Sequence, residues 1–458
     1  MIDSLHAFSA PYFIGIGGTG MSALAQYLQG IGKQVAGSDR LFVAGVQNEV
    51  QDKLTQAGIR CFAQDGTSLT RAFDVVIVST AIEETVIEVK QARELGIPIL
   101  HRAALLSLIA SSKKTIAIAG TSGKSTTSAM LFDILDRAGY EPSIISGAGL
   151  VRIIEEGKIG NAVAGKGEWL VIEADESDGS IVQYHPHTGV LLNIDKDHDE
   201  TEKLVTLFTT FKNNCEHFIV NRSHPLATTL SAAATYDFGV GEQEGVGYCA
   251  CDFKQEGLSI EFTVNHMPVQ LQQIGMHNME NALAAIAVAH QVGVSLSVAA
   301  EALAGYKGIY RRHQLWGQKN GVWLIDDYAH NPVKCAAAIR ACQPVATKVV
   351  AWFQPHGYKP TRFLRNDFVQ AFAASLRPGD QLWMSEIYYA GGAAVKDISA
   401  ADLVADLQEL GVAAFFVADR NELIASMRIH LSEDCVLLLM GARDPSLETF
   451  AKEVWEAL

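Results

Sequence analysis

A lysine in a glycine-rich turn is a combination that binds phosphate, and this sequence carries one at residues 120–126. The turn follows an apolar run and precedes a helical stretch. Its backbone N–H groups can surround a phosphate, the Lys124 ammonium can reach the terminal phosphates of a nucleotide, and the Ser125 hydroxyl can ligate Mg²⁺. The usual phosphate-loop pattern is not followed fully, because Ile118 occupies the place of its first glycine. We predict a triphosphate site formed by Gly120, Thr121, Ser122, Gly123, Lys124, Ser125 and Thr126.

Acidic residues follow two further apolar runs, in the segments VIEADESD and NIDKDH. Open α/β sheets bind ligands at the carboxyl ends of their strands, so Glu173 and His198 should converge on a metal near Lys124. Mg²⁺ prefers hard oxygen ligands, and one carboxylate with phosphate oxygens is the expected set, with histidine a less common addition. Glu176 and Asp178 are expected to lie in a solvated loop instead.

A second glycine-rich turn, GIGGTGMS, begins at Gly15 and also joins a strand to a helix. Glycines there allow the backbone to approach a diphosphate at the helix N-terminus, and Asp39 lies where an acidic residue can accept a ribose hydroxyl. The pattern alone does not distinguish NAD from a UDP-sugar, so an NAD-dependent oxidoreductase is an alternative. The predicted substrate-binding residues of this region are Gly15, Gly17, Gly18, Gly20, Met21, Ser22, Asp39 and, at the end of a buried strand, Ser79.

The presence of two phosphate loops weakens the oxidoreductase alternative, because hydride transfer has no use for a lysine-bearing triphosphate loop.

The elements that must position these loops form three series of alternating short apolar runs and helical stretches, which indicates an α/β fold built on parallel sheets. We place the domain boundaries near Ser111 and Trp316 and predict three domains, at 1–110, 111–315 and 316–458. The first and third are Rossmann-like, and the central one is a P-loop ATPase with an appended antiparallel hairpin. The predicted strands lie at 12–16, 35–38, 74–79, 97–100, 115–119, 169–173, 189–193, 322–326, 348–353, 380–385, 413–417 and 435–440.

Composition excludes several classes of protein. The 458-residue chain has a formal net charge of −15, which disfavours general binding to nucleic acid or to an anionic membrane. No apolar run reaches membrane-spanning length without a polar break, and the first twelve residues do not read as a secretory signal. The seven cysteines are scattered without a CxxC pair, which favours free thiols in a reducing compartment. We therefore predict a cytoplasmic protein that binds neither nucleic acid nor membrane.

Seven motifs in series resemble the Mur ligase family, the ATP-dependent amide ligases of peptidoglycan assembly. The likeness covers nearly the whole chain, and its opening segment is similar to the alanine-adding branch of the family. The motifs are FIGIGGTGM, GTSGKSTT, EADESDGS, NIDKDH, GMHNMEN at 275–281, YRR at 310–312 and DDYAHNP at 326–332.

The resemblance implies a ligase that uses ATP and Mg²⁺ to join the carboxylate of a UDP-N-acetylmuramate-like substrate to an amino acid through an acyl phosphate. The first domain would hold the UDP-sugar, and the third would close over the nucleotide and bring the amine. The resemblance assigns Lys124 to the β- and γ-phosphates, and the metal ligands would be Ser125, Glu173 and, for a second Mg²⁺, His198.

The same resemblance adds nucleotide-binding residues from the later motifs. The adenine side would be formed by His277, Asn278 and Asn281. Arg312 and Asp327 would reach the phosphates and ribose, and His330 belongs to the same nucleotide-binding set. The catalytic residues implied are Lys124, Glu173, His198 and Arg312.

The sequence departs from the alanine-adding branch in the region expected to hold the amino acid. Gly357 and Pro360 stand where arginines usually help to bind the amino-acid carboxylate, whereas Arg362 remains as a substrate-binding candidate and Lys359 can compensate. Other departures are Ser122 in place of histidine, a glycine in place of an acidic residue in the segment YYAGG at 388–392, and a short segment after His198.

We interpret these changes as loss of the standard L-alanine pocket with the ATP chemistry retained. Surface drift compensated by Lys359 and Arg362 is the alternative. A ligase acting on another carboxylate or a muropeptide, and a non-catalytic nucleotide-binding partner, are the other hypotheses.

Overall fold

A computed structural model describes residues 2–177, 179–195, 201–389, 391 and 395–458. The chain forms two compact units. The first comprises Met1–Cys251, Thr263–Val269 and Glu280–Tyr310, and the second comprises Asp252–Phe262, Gln270–Met279 and Arg311–Leu458. Among the described residues the strands form four sheets.

The first sheet is parallel and has the strand order β3-β2-β1-β4-β5. Its central strands consist of buried apolar residues, as expected for a sheet covered on both faces. The order reverses beside β1, so the turn after β1 opens at a topological switch point. The elements are β1 (Pro11–Ile14), α1 (Thr19–Gly30), β2 (Ala36–Asp39), α2 (Glu49–Gln56), β3 (Arg60–Ala63), β4 (Val75–Val78), α3 (Ile87–Leu95), β5 (Ile99–His101) and α4 (Arg102–Ser111).

The second sheet has the order β11-β10-β6-β9-β7-β8, and β8 is antiparallel to β7. Strand β6 lies between β9 and β10, and Ala119 at its end pairs with Ala174 of β9 and Leu191 of β10. The segments that follow these three strands therefore lie side by side. The elements are β6 (Lys114–Ala119), α5 (Lys124–Arg137), β7 (Ser143–Ile145), α6 (Val151–Glu155), β8 (Ala162–Val163), β9 (Trp169–Ala174), β10 (Thr188–Leu191), α7 (Thr201–Asn213) and β11 (His217–Val220).

One hydrophobic core joins these two sheets within the first unit. It combines Leu24 and Leu105 of the early helices with Ile172 and Phe208 of the later segments, all almost fully buried. Burial of each such side chain contributes roughly 1.5–3 kcal/mol. The two predicted phosphate loops therefore belong to one compact unit.

A third sheet has the order β12-β13-β14-β15, with β12 parallel to β13. The region predicted as a hairpin thus contains three strands, β13, β14 and β15, and β12 pairs with the edge of β13. The elements of this region are β12 (Phe238–Val240), β13 (Tyr248–Glu256), β14 (Ser259–Val264), β15 (Met267–Leu271), α8 (Met276–Gln291) and α9 (Leu296–Ala304).

The fourth sheet forms the centre of the second unit and has the order β16-β17-β21-β18-β19-β20. All its pairs are parallel except β16 with β17. The elements are β16 (Gln314–Lys319), β17 (Val322–Asp327), α10 (Pro332–Cys342), β18 (Lys348–Gln354), α11 (Tyr358–Phe363), α12 (Arg365–Ser375), β19 (Gln381–Met384), α13 (Ala400–Glu409), β20 (Ala414–Phe416), α14 (Leu423–Met427), β21 (Cys435–Gly441) and α15 (Leu447–Ala457).

Short 3₁₀ helices complete the described secondary structure, at Leu5–Ala7, Ser180–Gln183, Ala227–Leu230, Ala234–Tyr236, Arg420–Glu422 and Arg428–His430. In the described part of the chain, no helix combines the length and the apolar character needed to cross a bilayer. All the cysteines are free thiols. The predicted α/β fold built mainly on parallel sheets is confirmed.

Candidate active site

The turn between β6 and α5 adopts a backbone conformation that requires glycine. Gly120 has a φ of +138° and Gly123 a φ of +84°, and L-residues with a side chain seldom adopt these values. A Cβ on Gly123 would also collide with Oδ1 of Asn281. The glycines thus leave the concave backbone surface open, which is what a phosphate-binding turn needs.

Asn193, which follows β10, holds this turn in place. Its Oδ1 accepts hydrogen bonds from the Thr121 hydroxyl at 2.9 Å and from the Ser122 backbone N–H at 2.8 Å, and its Nδ2 donates to the Ser122 carbonyl at 3.2 Å. The Thr121 hydroxyl in turn accepts from the Asp195 N–H at 2.9 Å. The sequence motif NIDKDH suggested carboxylate ligands, whereas the asparagine at its start performs this bracing role.

We expect Asn193→Ala to loosen the turn and weaken triphosphate binding. Three hydrogen bonds would be lost, each contributing roughly 0.5–1.5 kcal/mol. The expected result is a lower Tm together with a raised KM for ATP at nearly unchanged kcat. Thermal denaturation and initial rates check this, and Asn265→Ala, which removes two hydrogen bonds from the turn between β14 and β15, controls for a general loss of stability. An unchanged KM would contradict the bracing role.

Glu173, near the end of β9, lies beside the predicted metal ligand Ser125. Its Oε2 accepts from the Ser125 hydroxyl at 2.8 Å, and its Oε1 accepts from the Ser146 hydroxyl at 2.7 Å and the Gly147 N–H at 2.6 Å. The sequence did not identify Ser146, which comes from the end of a third strand, β7. This group of hard oxygen atoms matches the ligands that Mg²⁺ prefers.

Lys124 points into the same region and is paired with Glu176. Its Nζ lies 2.6 Å from Oε2 of Glu176, 2.7 Å from the Gly120 carbonyl and 3.7 Å from Oδ1 of Asp175. Only 14% of the Lys124 side chain and 5% of the Glu176 side chain are exposed. Burial acts to lower the pKa of Lys124, but the Glu176 and Asp175 carboxylates outweigh it and raise that pKa, so the ammonium stays charged.

The expectation that Glu176 is solvated is therefore wrong. A buried ammonium needs a buried counter-charge, and Glu176 supplies it. His198 and Asp178 lie outside the described residues.

The first glycine turn is organised around Asp39. The Oδ2 atom of Asp39 accepts from the Gly17 N–H at 2.9 Å, and Oδ1 accepts from the Leu41 N–H at 3.0 Å. Gly15 has a φ of +76°, and a Cβ there would lie 3.2 Å from Cδ1 of Ile82. Ile82 donates its N–H to the Ser79 carbonyl, so the segment after β4 lies beside the turn. Asp39, predicted to bind ribose, here holds the backbone of the turn.

The first helical residues after this turn attach to the second sheet. The Nδ2 atom of Asn161 donates to the Thr19 carbonyl at 2.9 Å and to the Ser22 hydroxyl at 3.0 Å, while its Oδ1 accepts from Gln26 at 2.7 Å. Ser22 and Met21 are buried, whereas Gly18 and Gly20 are not. These hydrogen bonds link the first glycine turn to the part of the unit that carries Lys124.

Arg102, at the start of α4, was not identified from the sequence. A Cβ on Gly20 would lie 2.6 Å from its Nη1, so the glycine makes room for the guanidinium. Burial acts to raise the pKa of Asp175, but Lys124 and, more weakly, Arg102 lower it. Arg102 thus places a positive charge near both glycine turns. Its position directly after a parallel strand was the available signal.

In the second unit, the predicted residues His277 and Asp327 both lie next to His313. The rings of His277 and His313 are 5.0 Å apart. Asp327 accepts from the His313 N–H and the Ala329 N–H, both at 2.7 Å. Burial, helped by His313, lowers the pKa of His277 to about 3, which keeps this imidazole neutral.

The other nucleotide-binding candidates are divided between the two units. Arg312 lies with its guanidinium carbon 4.7 Å from the Tyr328 ring centroid, and Nδ1 of His330 lies 2.9 Å from the Tyr328 carbonyl oxygen. Asn278 donates to the Ile274 carbonyl at 2.8 Å. Asn281 belongs to the first unit, where its Oδ1 accepts from the Thr127 hydroxyl of α5 at 3.2 Å.

The segment around residue 357 explains two of the sequence departures. Gly357 has a φ of +72° and precedes α11, a conformation that disfavours an arginine. Pro360 lies in the first turn of that helix, where a missing N–H costs little. Arg362 forms an ion pair with Asp397, and Lys359 is exposed. Gly392 lies outside the described residues.

Comparison with known proteins assigns the family. Three family models match consecutive parts of the chain: the Mur ligase family catalytic domain at residues 11–114, the Mur ligase middle domain at 118–289 and the Mur ligase glutamate ligase domain at 311–443. The chain is 34% identical to the UDP-N-acetylmuramate–L-alanine ligase of Synechococcus sp. (strain RCC307), covering 96% of this chain and 95% of that protein.

Two further relatives agree with this assignment. The corresponding ligase of Thiobacillus denitrificans is 36% identical, covering 95% of this chain and 96% of its own length. The crystal structure of the UDP-N-acetylmuramate–alanine ligase of Thermotoga maritima has a TM-score of 0.79 and 26% identity, covering 98% of both chains. The two glycine turns, the Asp39 and Asn193 side chains that brace them and this likeness along the whole chain lead to one conclusion: the protein belongs to the Mur ligase family and is an ATP-dependent acid–amino-acid ligase.

Proposed function

We propose that this ligase joins UDP-N-acetylmuramate to an amino acid, with L-alanine as the leading candidate, in the cytoplasmic stage of peptidoglycan synthesis. The supporting observation is the joint placement of Lys124, Ser125 and Glu173 in a unit that also carries the Asp39-braced glycine turn. One turn suits the diphosphate of a sugar nucleotide, and the other suits the triphosphate of ATP.

The reaction balances as two transfers. The substrate carboxylate attacks the γ-phosphorus of ATP, ADP leaves, and an acyl phosphate forms. The amine nitrogen then attacks the acyl carbon, inorganic phosphate leaves, and the nitrogen loses a proton. Two anions meet in the first step, so positive charge must be concentrated there. In this proposal Lys124 supplies that charge at the phosphates, and Arg102 neutralises charge on the sugar-nucleotide side.

Magnesium fits the oxygen atoms around Glu173, where Ser125 and the carboxylate would hold it. When bound, the ion supplies charge neutralisation at the phosphate oxygens. Ser146 and Gly147 donate to Oε1 of Glu173 and so fix its carboxylate, which leaves Oε2 directed at the Ser125 hydroxyl. His198 is proposed as a ligand of a second ion on the family resemblance alone.

The segment around Gly357 favours a modified amino-acid pocket. In this proposal Arg362 and the exposed Lys359 bind the carboxylate of the amino acid. Arg362 must first break its ion pair with Asp397. We also propose that the three domains of the ligase meet near residues 111 and 316. A ligase that accepts a muropeptide is the second candidate, supported by the replaced arginines.

A substrate panel tests the proposed function. Purified protein with UDP-N-acetylmuramate, Mg²⁺ and ATP should release ADP and phosphate when L-alanine is added, and mass spectrometry should detect the amide product. Glycine, L-serine and a tripeptide that begins with L-alanine complete the panel. Each is assayed with and without UDP-N-acetylmuramate, so that uncoupled ATP hydrolysis is subtracted. Product from the tripeptide alone would overturn the L-alanine assignment, and no product from any amine would overturn the proposed substrate.

A further inference from the structure

Two histidines and a glutamate meet at the amino ends of β10 and β11, at the edge of the sheet opposite the phosphate turn. The three residues, His187, Glu216 and His217, are called here the His187 cluster. Each offers a ligand atom, and these atoms lie within 4.8 Å of one another. Strands β10 and β11 run parallel with Thr188 opposite His217, which brings the two preceding residues together.

Neighbouring groups orient the His187 ring. Its Nδ1 lies 2.9 Å from the Thr188 hydroxyl oxygen, and its Nε2 lies 4.0 Å from Oε2 of Glu216. A hydroxyl that accepts from Nδ1–H leaves the Nε2 lone pair free to bind a metal, the arrangement that supporting hydrogen bonds give to metal-binding histidines. The Trp169 ring packs edge-on against the imidazole at 5.3 Å and fixes its plane.

The exposure of the His187 cluster and the charges around it are compatible with binding of a cation. Glu216 and His217 are exposed, whereas the His187 side chain is 28% exposed. The Lys114 ammonium, which acts on His187, is paired with Glu168 at 3.0 Å, so it adds no uncompensated positive charge. Burial lowers the pKa of His187, and the charges of His217 and Lys114 lower it further, whereas Glu216 raises it. The net shift is downward, so the ring is neutral at pH 7.

We propose that the His187 cluster binds a divalent transition-metal ion of the zinc class, separate from the magnesium of the nucleotide site. Two imidazole nitrogens and one carboxylate oxygen form a ligand set suited to Zn²⁺, with water completing a four-coordinate site. Zn–N and Zn–O bonds of about 2.0–2.2 Å require ligand atoms to lie roughly 3.4 Å apart. Small rotations of the exposed Glu216 and His217 side chains close the remaining gap.

Titration of the tag-free full-length protein with Co²⁺ tests the proposal. Millimolar Mg²⁺ is present throughout to occupy sites formed by hard oxygen atoms. We expect a visible absorption band of four- or five-coordinate Co²⁺ at one equivalent, displaced by Zn²⁺, and a metal-dependent rise in Tm. His187→Ala and His217→Ala should each weaken Co²⁺ and Zn²⁺ binding by at least about 10-fold. Thr188→Val, which removes only the orienting hydroxyl, should also weaken binding, by about 10-fold, the lower end of the effect of losing a hydrogen bond that supports a metal-binding histidine.

The matched control is His266→Ala, which removes an exposed histidine from the turn between β14 and β15 and should leave the affinity unchanged. His217 is exposed at a strand end, so its variant tests the site even if His187→Ala fails to fold. Absence of the absorption band, or equal affinity in His217→Ala and the parent protein, would overturn the proposal. Neither result bears on the ligase reaction, which is assayed separately.

Discussion

Lys124→Ala should lower ATP turnover at least about 10²–10³-fold, the scale measured for removal of one preorganised charge-stabilising group. Lys124 is the ammonium that the turn presents beside Ser125 and Glu173, and residues 120–126 contain no other basic residue that can replace it. Initial rates of phosphate release with the complete substrate mixture measure the effect. Lys158→Ala, which removes an exposed lysine of the same unit, should leave the rate unchanged.

The single substitution also affects stability, because Glu176 would lose its buried partner. Removing one member of a buried ion pair typically costs about 3–5 kcal/mol, less whatever protonation of the glutamate recovers. The double variant Lys124→Ala/Glu176→Gln removes the unpaired charge and should regain most of the lost Tm while remaining inactive. Recovery of turnover in the double variant would show that the first loss was one of folding, not of phosphate binding.

Glu173→Gln should be the second most damaging substitution, with turnover lowered about 10²–10³-fold. It removes one negative charge and little volume. The amide oxygen can still accept from Ser146 and Gly147, and the amide N–H can donate to the Ser125 hydroxyl. The fold should therefore hold, and the Mg²⁺ concentration for half-maximal rate should rise.

Phosphate release across a Mg²⁺ titration, with Tm measured in parallel, checks this expectation. Glu155→Gln, at an exposed position on a nearby helix, is the charge-matched control. If the Mg²⁺ dependence of Glu173→Gln matches that of the control, Glu173 does not hold the metal.

The sequence predicted the parallel strands well where apolar runs were continuous. Strand β9 and strand β21 lie where WLVIE and CVLLLM indicated, because both are buried on both faces. Strand β16 was missed because it is a half-exposed edge strand whose residues, QLWGQK, show no regular alternation. Hydrophobic patterning reports burial, and an edge strand is stabilised chiefly by its backbone pairing.

Site residues were predictable where a motif indicated both the place of a residue at the end of a strand and the chemistry of its side chain. Lys124, Ser125 and Glu173 fall in this class. Arg102 and Ser146 were not found, because each follows a different strand and joins the site only through the strand order. The prediction for Glu176 was wrong because a run of acidic residues is typical of a solvated loop. The structure shows that the Glu176 carboxylate turns inward to pair with the buried ammonium of Lys124.

The pairing of Lys124 with Glu176 has a consequence for ligand selection. Any anion that enters the turn must displace an internal carboxylate already positioned at 2.6 Å. A lone inorganic phosphate has few compensating contacts with which to compete, whereas a triphosphate chain also engages the backbone and the metal. We therefore expect the internal Glu176 carboxylate to disfavour binding of small anions such as inorganic phosphate more than binding of a triphosphate.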